Sequence, residues 1–226
     1  MKLVKRNIKL MLRSLNDVRN GNAGKFARKK NLSASFPYTI ALKLEIKKGT
    51  SFENKVHNLR LAAEKINEVI IHPGEIFSFW KAVGNPEKGF KKSRSIINGA
   101  LSEETGGGLC QVSGAVYYMS LKSGLKILER YNHSIDIYTE ETRYTPLGTD
   151  ATVVYGYKDL RIENIYDFPV KFRFEIVGDD LELHLLSEQK IAEHALTFET
   201  EKRENELVSR IKDEKGNIYI SKYKYL

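Results

Sequence analysis

VKFRFEIVGDDLELHLL, residues 170–186, is the stretch that decides the fold class. Val170, Phe172, Phe174 and Ile176 alternate with Lys171, Arg173 and Glu175, and Leu181, Leu183 and Leu185 alternate with Glu182 and His184. A period of two places each apolar set on one face of a pleated strand. Gly178-Asp179-Asp180 supplies turn residues between the runs, so the stretch reads as an antiparallel hairpin. PYTIALKLEI, residues 37–46, alternates in the same way, with Tyr38, Ile40, Leu42, Leu44 and Ile46 on one face. KILER, IDIYTE, ATVVYGY and DLRIENI, between residues 126 and 165, also read as strands. Two segments instead follow the helical period. Residues 54–70 place Leu59, Ala62, Ala63 and Ile66 inward, and residues 111–123, ended by Gly124, place Val112, Ala115, Val116 and Met119 inward. Phe77, Phe79 and Trp80 form an aromatic corner that suits a core. The predicted class is α+β: N-terminal helices, then a mainly antiparallel sheet, with a glycine-rich turn leading into a central cysteine-bearing helix.

Outward from this centre the chain changes character. Residues 1–30 hold ten Lys or Arg and one acid, Asp17, and the other 196 residues hold 27 bases and 28 acids. The organisation reads as a basic amphipathic arm over 1–34, a domain over 35–190 and a polar extension over 191–226, with one hairpin signal near Asp213–Asn217. In the arm, Val4, Ile8, Met11, Leu12, Leu15 and Val18 make a helical stripe, with Lys5, Arg6, Lys9 and Arg13 mostly off it. The stripe can face the body and leave the basic face in water, or it can lie on an anionic membrane surface. Nucleic acid is disfavoured, because no aromatic residue precedes Phe26 to stack on bases. No apolar run approaches the roughly 18 residues of a membrane-spanning helix, and no secretory signal is legible. Cys110 is the only cysteine, which excludes an intramolecular disulfide and suits a reducing compartment. The expected location is the cytoplasm, peripheral at the inner membrane face if the arm meets lipid.

Gly106-Gly107-Gly108-Leu109-Cys110-Gln111 is the most chemically loaded segment. Three glycines in a row cost chain entropy, and they permit left-handed backbone and close approach. A helix start directly after them surrounds Cys110 with free N–H groups, which favour a thiolate and can hold an oxyanion. Ser113, Gly114 and Tyr117 share the helix face of Cys110, with Gly114 leaving room and Tyr117 available to line a cleft. A nucleophilic cysteine needs a base and a group to orient it. His133 follows 23 residues later and Asp150 another 17 on, with Asp136 and Asp159 as competing partners. That chain order is shared by papain-like and transglutaminase-like cores. The competing structural readings are a cysteine acting as a small hydrophobe and a histidine that is merely hydrogen-bonded. The remaining histidines show no ligand spacing with Cys110, so neither a metal nor another cofactor is expected. The glycine turn lacks the Gly-Lys-Ser/Thr of a phosphate-binding loop.

The strings NLRLAAEKIN, HPGEIFSFW, GGGLCQVS, ERYNHS and YGYKDLRIEN, in this order over about residues 55–165, resemble the successive blocks of the VanW family. The resemblance places the family signature on Gly106, Gly107, Gly108, Cys110, Gln111, Glu129, Arg130, His133, Ser134 and Asp159. It implies a role in cell-envelope and glycopeptide-resistance biology rather than a defined reaction. Pro146-Leu147-Gly148-Thr149-Asp150 stands where a glycine-rich string is expected, so Asp150 rests on spacing alone. Two functions follow as expectations. One is cysteine-dependent acyl transfer or amidase chemistry on a cell-wall peptide or precursor, through Cys110, His133 and an aspartate. Gly106, Gly107, Gly108, Gln111, Ser113, Tyr117 and Arg130 would bind the substrate. The other is a non-catalytic module that holds a peptide or carboxylate at the glycine turn.

Overall fold

The computed structural model describes residues 2–29, 35–97, 100–136, 143 and 145–225. The hairpin of residues 170–186 sits at the centre, as β7 (Val170–Val177) and β8 (Asp180–Ser187), with Phe172 opposite Leu185 and Phe174 opposite Leu183. Gly178, at φ +61°, occupies the turn. β1 (Tyr38–Glu45) pairs antiparallel with the other edge of β8, giving the order β1-β8-β7. Phe172, Phe174, Leu181, Leu183 and Leu185 are buried, as the alternation requires. Each such side chain removed from water contributes about 1.5–3 kcal/mol.

Two helices cover this sheet. α2 (Phe52–Asn67) buries Leu59, Ala62, Ala63 and Ile66. Its last residue, Asn67, accepts from Phe174 N–H at 2.7 Å and donates to Phe174 C=O at 2.9 Å. That amide fills two backbone positions on the free edge of β7, where an unpaired group would be exposed. α4 (Leu109–Lys122) buries Val112, Ala115, Val116 and Met119. Ser123 then caps it, and Gly124 at φ +66° turns the chain away. The class is α+β with mainly antiparallel sheets, although the helices are not all N-terminal: α4 follows four strands.

A second sheet flanks the first: β2 (Ile76–Ser78), β6 (Arg161–Glu163) and β5 (Lys126–Glu129), in the order β2-β6-β5. The aromatic corner is core, with Phe77 on β2 and Phe79 opening the short helix α3 (Phe79–Val83). β3 (Lys92–Ile97) and β4 (Ala100–Thr105) form a hairpin that leads into the glycine turn. The expected strand at 135–140 lies mostly outside the described residues.

Three features depart from the sequence expectations. Residues 151–157 are not a strand, because their backbone groups are taken elsewhere. Thr152 N–H donates to Tyr131 C=O at 2.7 Å, Ala151 C=O accepts from Ser113 Oγ at 2.7 Å, and Gly156 makes a turn at φ +85°. The polar segment after residue 191 is an ordered three-stranded sheet, β9 (Leu196–Lys202), β10 (Glu206–Asp213) and β11 (Ile218–Lys224), in the order β11-β10-β9. Lys224 N–H reaches Ser134 C=O at 2.8 Å, joining this sheet to the loop that carries His133.

The third departure is α1 (Lys2–Arg19), which forms as expected but docks through its charged face. Its inward residues are Arg6, Leu10, Arg13 and Asp17, spaced four, three and four apart. Arg6 pairs with Glu87 at 2.6 Å, Arg13 with Glu129 at 2.7 Å, and Asp17 with Arg161 at 2.5 Å. Of the two directions open to the apolar stripe, it does not take the one toward the body: Val4, Ile8, Met11, Leu12, Leu15 and Val18 are exposed. Among the described residues, no helix is long and apolar enough to cross a membrane.

Candidate functional site: a cysteine, histidine and aspartate at a glycine turn

The glycine turn is held from three sides. Gly106 and Gly108 have φ +83° and +96°, conformations that disfavour any side chain. A Cβ on Gly108 would also lie 2.9 Å from Lys55 Cγ. Gly106 N–H donates to Lys91 C=O at 3.0 Å and Gly107 N–H to Glu104 C=O at 3.0 Å. Buried Asn58, on α2, donates to Gly107 C=O at 3.0 Å and to Lys91 C=O at 2.9 Å, and accepts from Lys91 N–H at 2.8 Å. Gly108 caps α4, so Cys110 is the second residue of that helix. Leu109 N–H and Gln111 N–H are taken by Gly106 C=O and Gly108 C=O. Among the described residues no backbone acceptor engages the N–H of Gly108 or of Cys110. Those two donors sit at the positive end of the helix that carries Cys110.

His133 arrives from the loop after β5, and Asp150 from the irregular segment that crosses α4. The segment crosses over Gly114, where an added Cβ would meet Asp150 Cα at 3.7 Å, an ordinary contact distance. Asp150 Oδ2 accepts from the His133 backbone N–H at 2.6 Å and pairs with His133 Nδ1 at 2.7 Å. With Nδ1 engaged, Nε2 is the ring nitrogen left for Cys110, whose side chain is hydrogen-bonded to His133. The Val153 backbone also hydrogen-bonds the sulfur. Cys110, His133 and Asp150 therefore come together, with the imidazole engaging both thiol and carboxylate, in the lining of a cleft of about 1140 Å³.

The carboxylate is itself held. Arg130 donates from Nε to Asp150 C=O at 2.7 Å, and from one terminal nitrogen to Gly148 C=O at 2.7 Å and to Asp150 Oδ1 at 3.0 Å. Its other terminal nitrogen donates to Ser221 Oγ at 2.7 Å. The guanidinium lies over the Tyr117 ring, 4.7 Å from its centroid. The buried Tyr223 hydroxyl donates to Asp150 Oδ1. Tyr223 and Ser221 belong to β11, so the segment after residue 191 completes the site.

The charges follow from these contacts. Burial opposes ionisation of Asp150, but His133, Arg130 and Tyr223 outweigh it and hold the carboxyl down at about 2. Burial also opposes a charged His133, yet the bonds to Asp150 and Cys110 raise it to about 10. Burial pushes the Cys110 thiol up, and the His133 hydrogen bond and charge more than offset it, so the thiol lies below its ordinary value. These contacts favour the charged form of each partner: a thiolate on Cys110, an imidazolium on His133 and a carboxylate behind it.

The other sequence candidates are placed as follows. Gly106, Gly107, Gly108 and Gln111 line the cleft, and Gln111 Nε2 donates to Glu45 C=O at 2.8 Å. Ser113 and Tyr117 are buried and turned inward: Ser113 ties α4 to Ala151, and Tyr117 supports Arg130. Arg130 faces Asp150 rather than the cleft. Asp136 is paired in a fork with Arg143 at 2.9 Å. Asp159 is buried and bonded to Ser78, the Trp80 N–H and Arg161. Neither alternative aspartate meets His133 in this way. Sequence reading missed Asn58, Ser221 and Tyr223. The alternation of Tyr219, Ser221 and Tyr223 against Ile218, Ile220 and Lys222 is the signal that points the latter two inward. Among the described residues no cluster of His, Cys, Asp or Glu could hold a metal ion.

Residues 54–186 match the family model described as VanW like protein. An uncharacterised protein of Bacillus subtilis, YoaR, is 37% identical over 144 residues, which is 63% of this chain and 46% of the relative. The vancomycin B-type resistance protein VanW of Enterococcus faecalis is 38% identical over 117 residues, 51% of this chain and 42% of the relative. The chain thus spans less than half the length of these relatives. No solved structure matches. The matched segment carries the glycine turn, Cys110, His133 and Asp150 alike, and the chain belongs to the VanW-like protein family.

Proposed function

We propose that the chain is a cysteine-dependent acyl-transfer enzyme, of transferase or amidase type, acting on a cell-wall peptide or precursor. The observation that supports it is the alignment of Cys110 with a His133 whose Nδ1 is bound by Asp150 at 2.7 Å. The thiolate attacks the carbonyl carbon of an amide, forming the S–C bond and placing negative charge on oxygen. The N–H groups of Gly108 and Cys110 are the donors positioned for that oxyanion. The C–N bond then breaks, and His133 gives its proton to the departing amine, leaving a thioester on Cys110. Water or an acceptor amine attacks the thioester, His133 takes the incoming proton, and the S–C bond breaks to restore the thiolate. Asp150 keeps the ring oriented and stabilises its charge throughout. The choice of a cell-wall peptide rests on the family, one relative of which is named for vancomycin resistance.

The test is turnover of a panel of peptidoglycan stem peptides, followed by mass spectrometry. Cys110→Ala and Cys110→Ser are expected to abolish cleavage or transfer while keeping the wild-type melting curve. A Cys110→Ala protein that complements fully in the cell would make the chain a binding module at the glycine turn.

A further inference from the structure

Most amphipathic helices on a globular surface hide an apolar stripe and leave charge in water. α1 does the reverse. Its inward stripe, Arg6, Leu10, Arg13 and Asp17, is held by ion pairs to Glu87, Glu129 and Arg161. Its opposite side presents Val4, Ile8, Met11, Leu12, Leu15 and Val18, with Val4, Met11 and Val18 each more than 60% exposed. At 3.6 residues per turn these six fall in one sector of about 120°, facing away from the inward stripe. So many large apolar side chains on one rigid face mark an interaction surface.

Charge selects the occupant. Lys5 and Lys9 flank the apolar sector on one side, and Arg19 projects from the last turn. The only acid of the helix, Asp17, is turned inward against Arg161. The outward face is therefore apolar at its centre, cationic along one edge and free of acidic residues. A second copy of the helix would bring like charges together along the same seam. An anionic bilayer satisfies both parts: acyl chains accept the stripe, and headgroups accept the lysines and arginine.

We propose that the outward face of α1 lies flat on an anionic lipid surface and holds the rim of the Cys110 cleft there. Leu3 and Arg6, in the first two turns of α1, line that same cleft. Docking thus presents the cleft mouth to molecules at the headgroup level. The docking does not depend on the chemistry proposed for Cys110. Only the use made of the cleft rests on that reading.

The test is flotation of the full chain with lipid vesicles. With phosphatidylglycerol vesicles at low salt the protein is expected to float, with phosphatidylcholine binding weaker by roughly a hundredfold for three cations near the surface. Raising the salt is expected to release it. The double variant Ile8→Glu/Leu12→Glu is expected to remain in solution with an unchanged melting curve, and Cys110→Ala to float like wild type. A second readout is independent of how the double variant folds. In a Cys110→Ala background, an environment-sensitive dye on Met11→Cys is expected to shift to the blue with phosphatidylglycerol vesicles. The same dye on Lys215→Cys is expected not to shift. Absence of flotation, flotation undiminished in the double variant, or an unshifted dye on Met11→Cys each overturns the proposal. So does a dimer, seen by light scattering, that the double variant abolishes in a chain that ignores vesicles.

Discussion

Replacing His133 by alanine removes the cation that offsets burial of the Cys110 thiol. Two unit charges about 4 Å apart attract by about 4 kcal/mol at an effective dielectric of about 20. The His133 side chain keeps 25% of its surface open to water, so solvent screens part of that attraction. About half, roughly 2 kcal/mol, is a reasonable remainder, which corresponds to about a 30-fold fall in the thiolate fraction below the midpoint. The direction is fixed independently of the magnitude. Burial is the largest influence on this thiol and raises it, and the imidazolium is what brings it below its ordinary value. Without His133, burial and the Asp150 charge raise the thiol against the Val153 backbone bond, and the whole profile moves to higher pH. The assay is the rate of alkylation by iodoacetamide between pH 5 and 10, read by intact mass, with thermal melts as the control for folding. Wild-type protein is expected to react well below the roughly 8.5 of a free thiol. At pH values below both midpoints, His133→Ala is expected to react about 30-fold more slowly. Equal rates in the two proteins at pH 7 would refute the ion pair. Wild-type alkylation that appears only on unfolding would show a packed structural thiol instead.

Three further outcomes follow from the shell around the pair. Asp150 is held at about 2 against about 3.9 in an unfolded chain, so its charge stabilises the fold above the unfolded value, and that gain is lost as pH falls from about 4 to about 2. Asp150→Asn is expected to flatten this acid limb of roughly 2 kcal/mol in urea midpoints measured against pH; an identical limb in both proteins would count against the assignment. Arg130→Lys replaces a fork that reaches Asp150, Gly148 and Ser221 by a single ammonium, and is expected to cost about 2–4 kcal/mol, a drop of roughly 10 °C in Tm. A Tm within a degree of wild type would show that the fork does not hold the segment. Gly108→Ala, at φ +96° and with its Cβ against Lys55, is expected to destabilise by about 1–2 kcal/mol and to slow alkylation of Cys110. Unchanged reactivity would separate the turn from the thiol environment.

The parts of the fold legible in the sequence are those whose partners are near in the chain. The 170–186 hairpin carries both its strands and its turn within 17 residues, and α4 carries its own stripe. Cys110, His133 and Asp150 were legible as a chain order, because each belongs to a residue type that the chemistry demands. Why Asp150 rather than Asp136 or Asp159 meets His133 was not legible. It depends on Arg143 and Ser78 taking the other two, and on Arg130 holding the 148–150 segment beside His133. Those are long-range contacts without a local pattern. The same holds for ATVVYGY, whose β-branched text reads as a strand while its backbone bonds go to Tyr131 and Ser113. For α1 the stripe is legible, and which of its two open directions it takes is not. Three ion pairs with the body outweigh the usual inward preference of an apolar face, and their partners lie 80 or more residues away.

The most direct test of the central claim is to trap the acyl group on the sulfur. Wild-type protein is mixed with peptidoglycan stem peptides, quenched in acid within seconds and measured as intact protein, with the adduct then mapped by peptide fragmentation. The expected result is a mass increase equal to an acyl fragment on Cys110. It should be discharged by hydroxylamine, be absent in Cys110→Ala and form more slowly in His133→Ala. An adduct on another residue, or turnover of the same peptides by Cys110→Ala with no adduct at all, would contradict a thioester at Cys110.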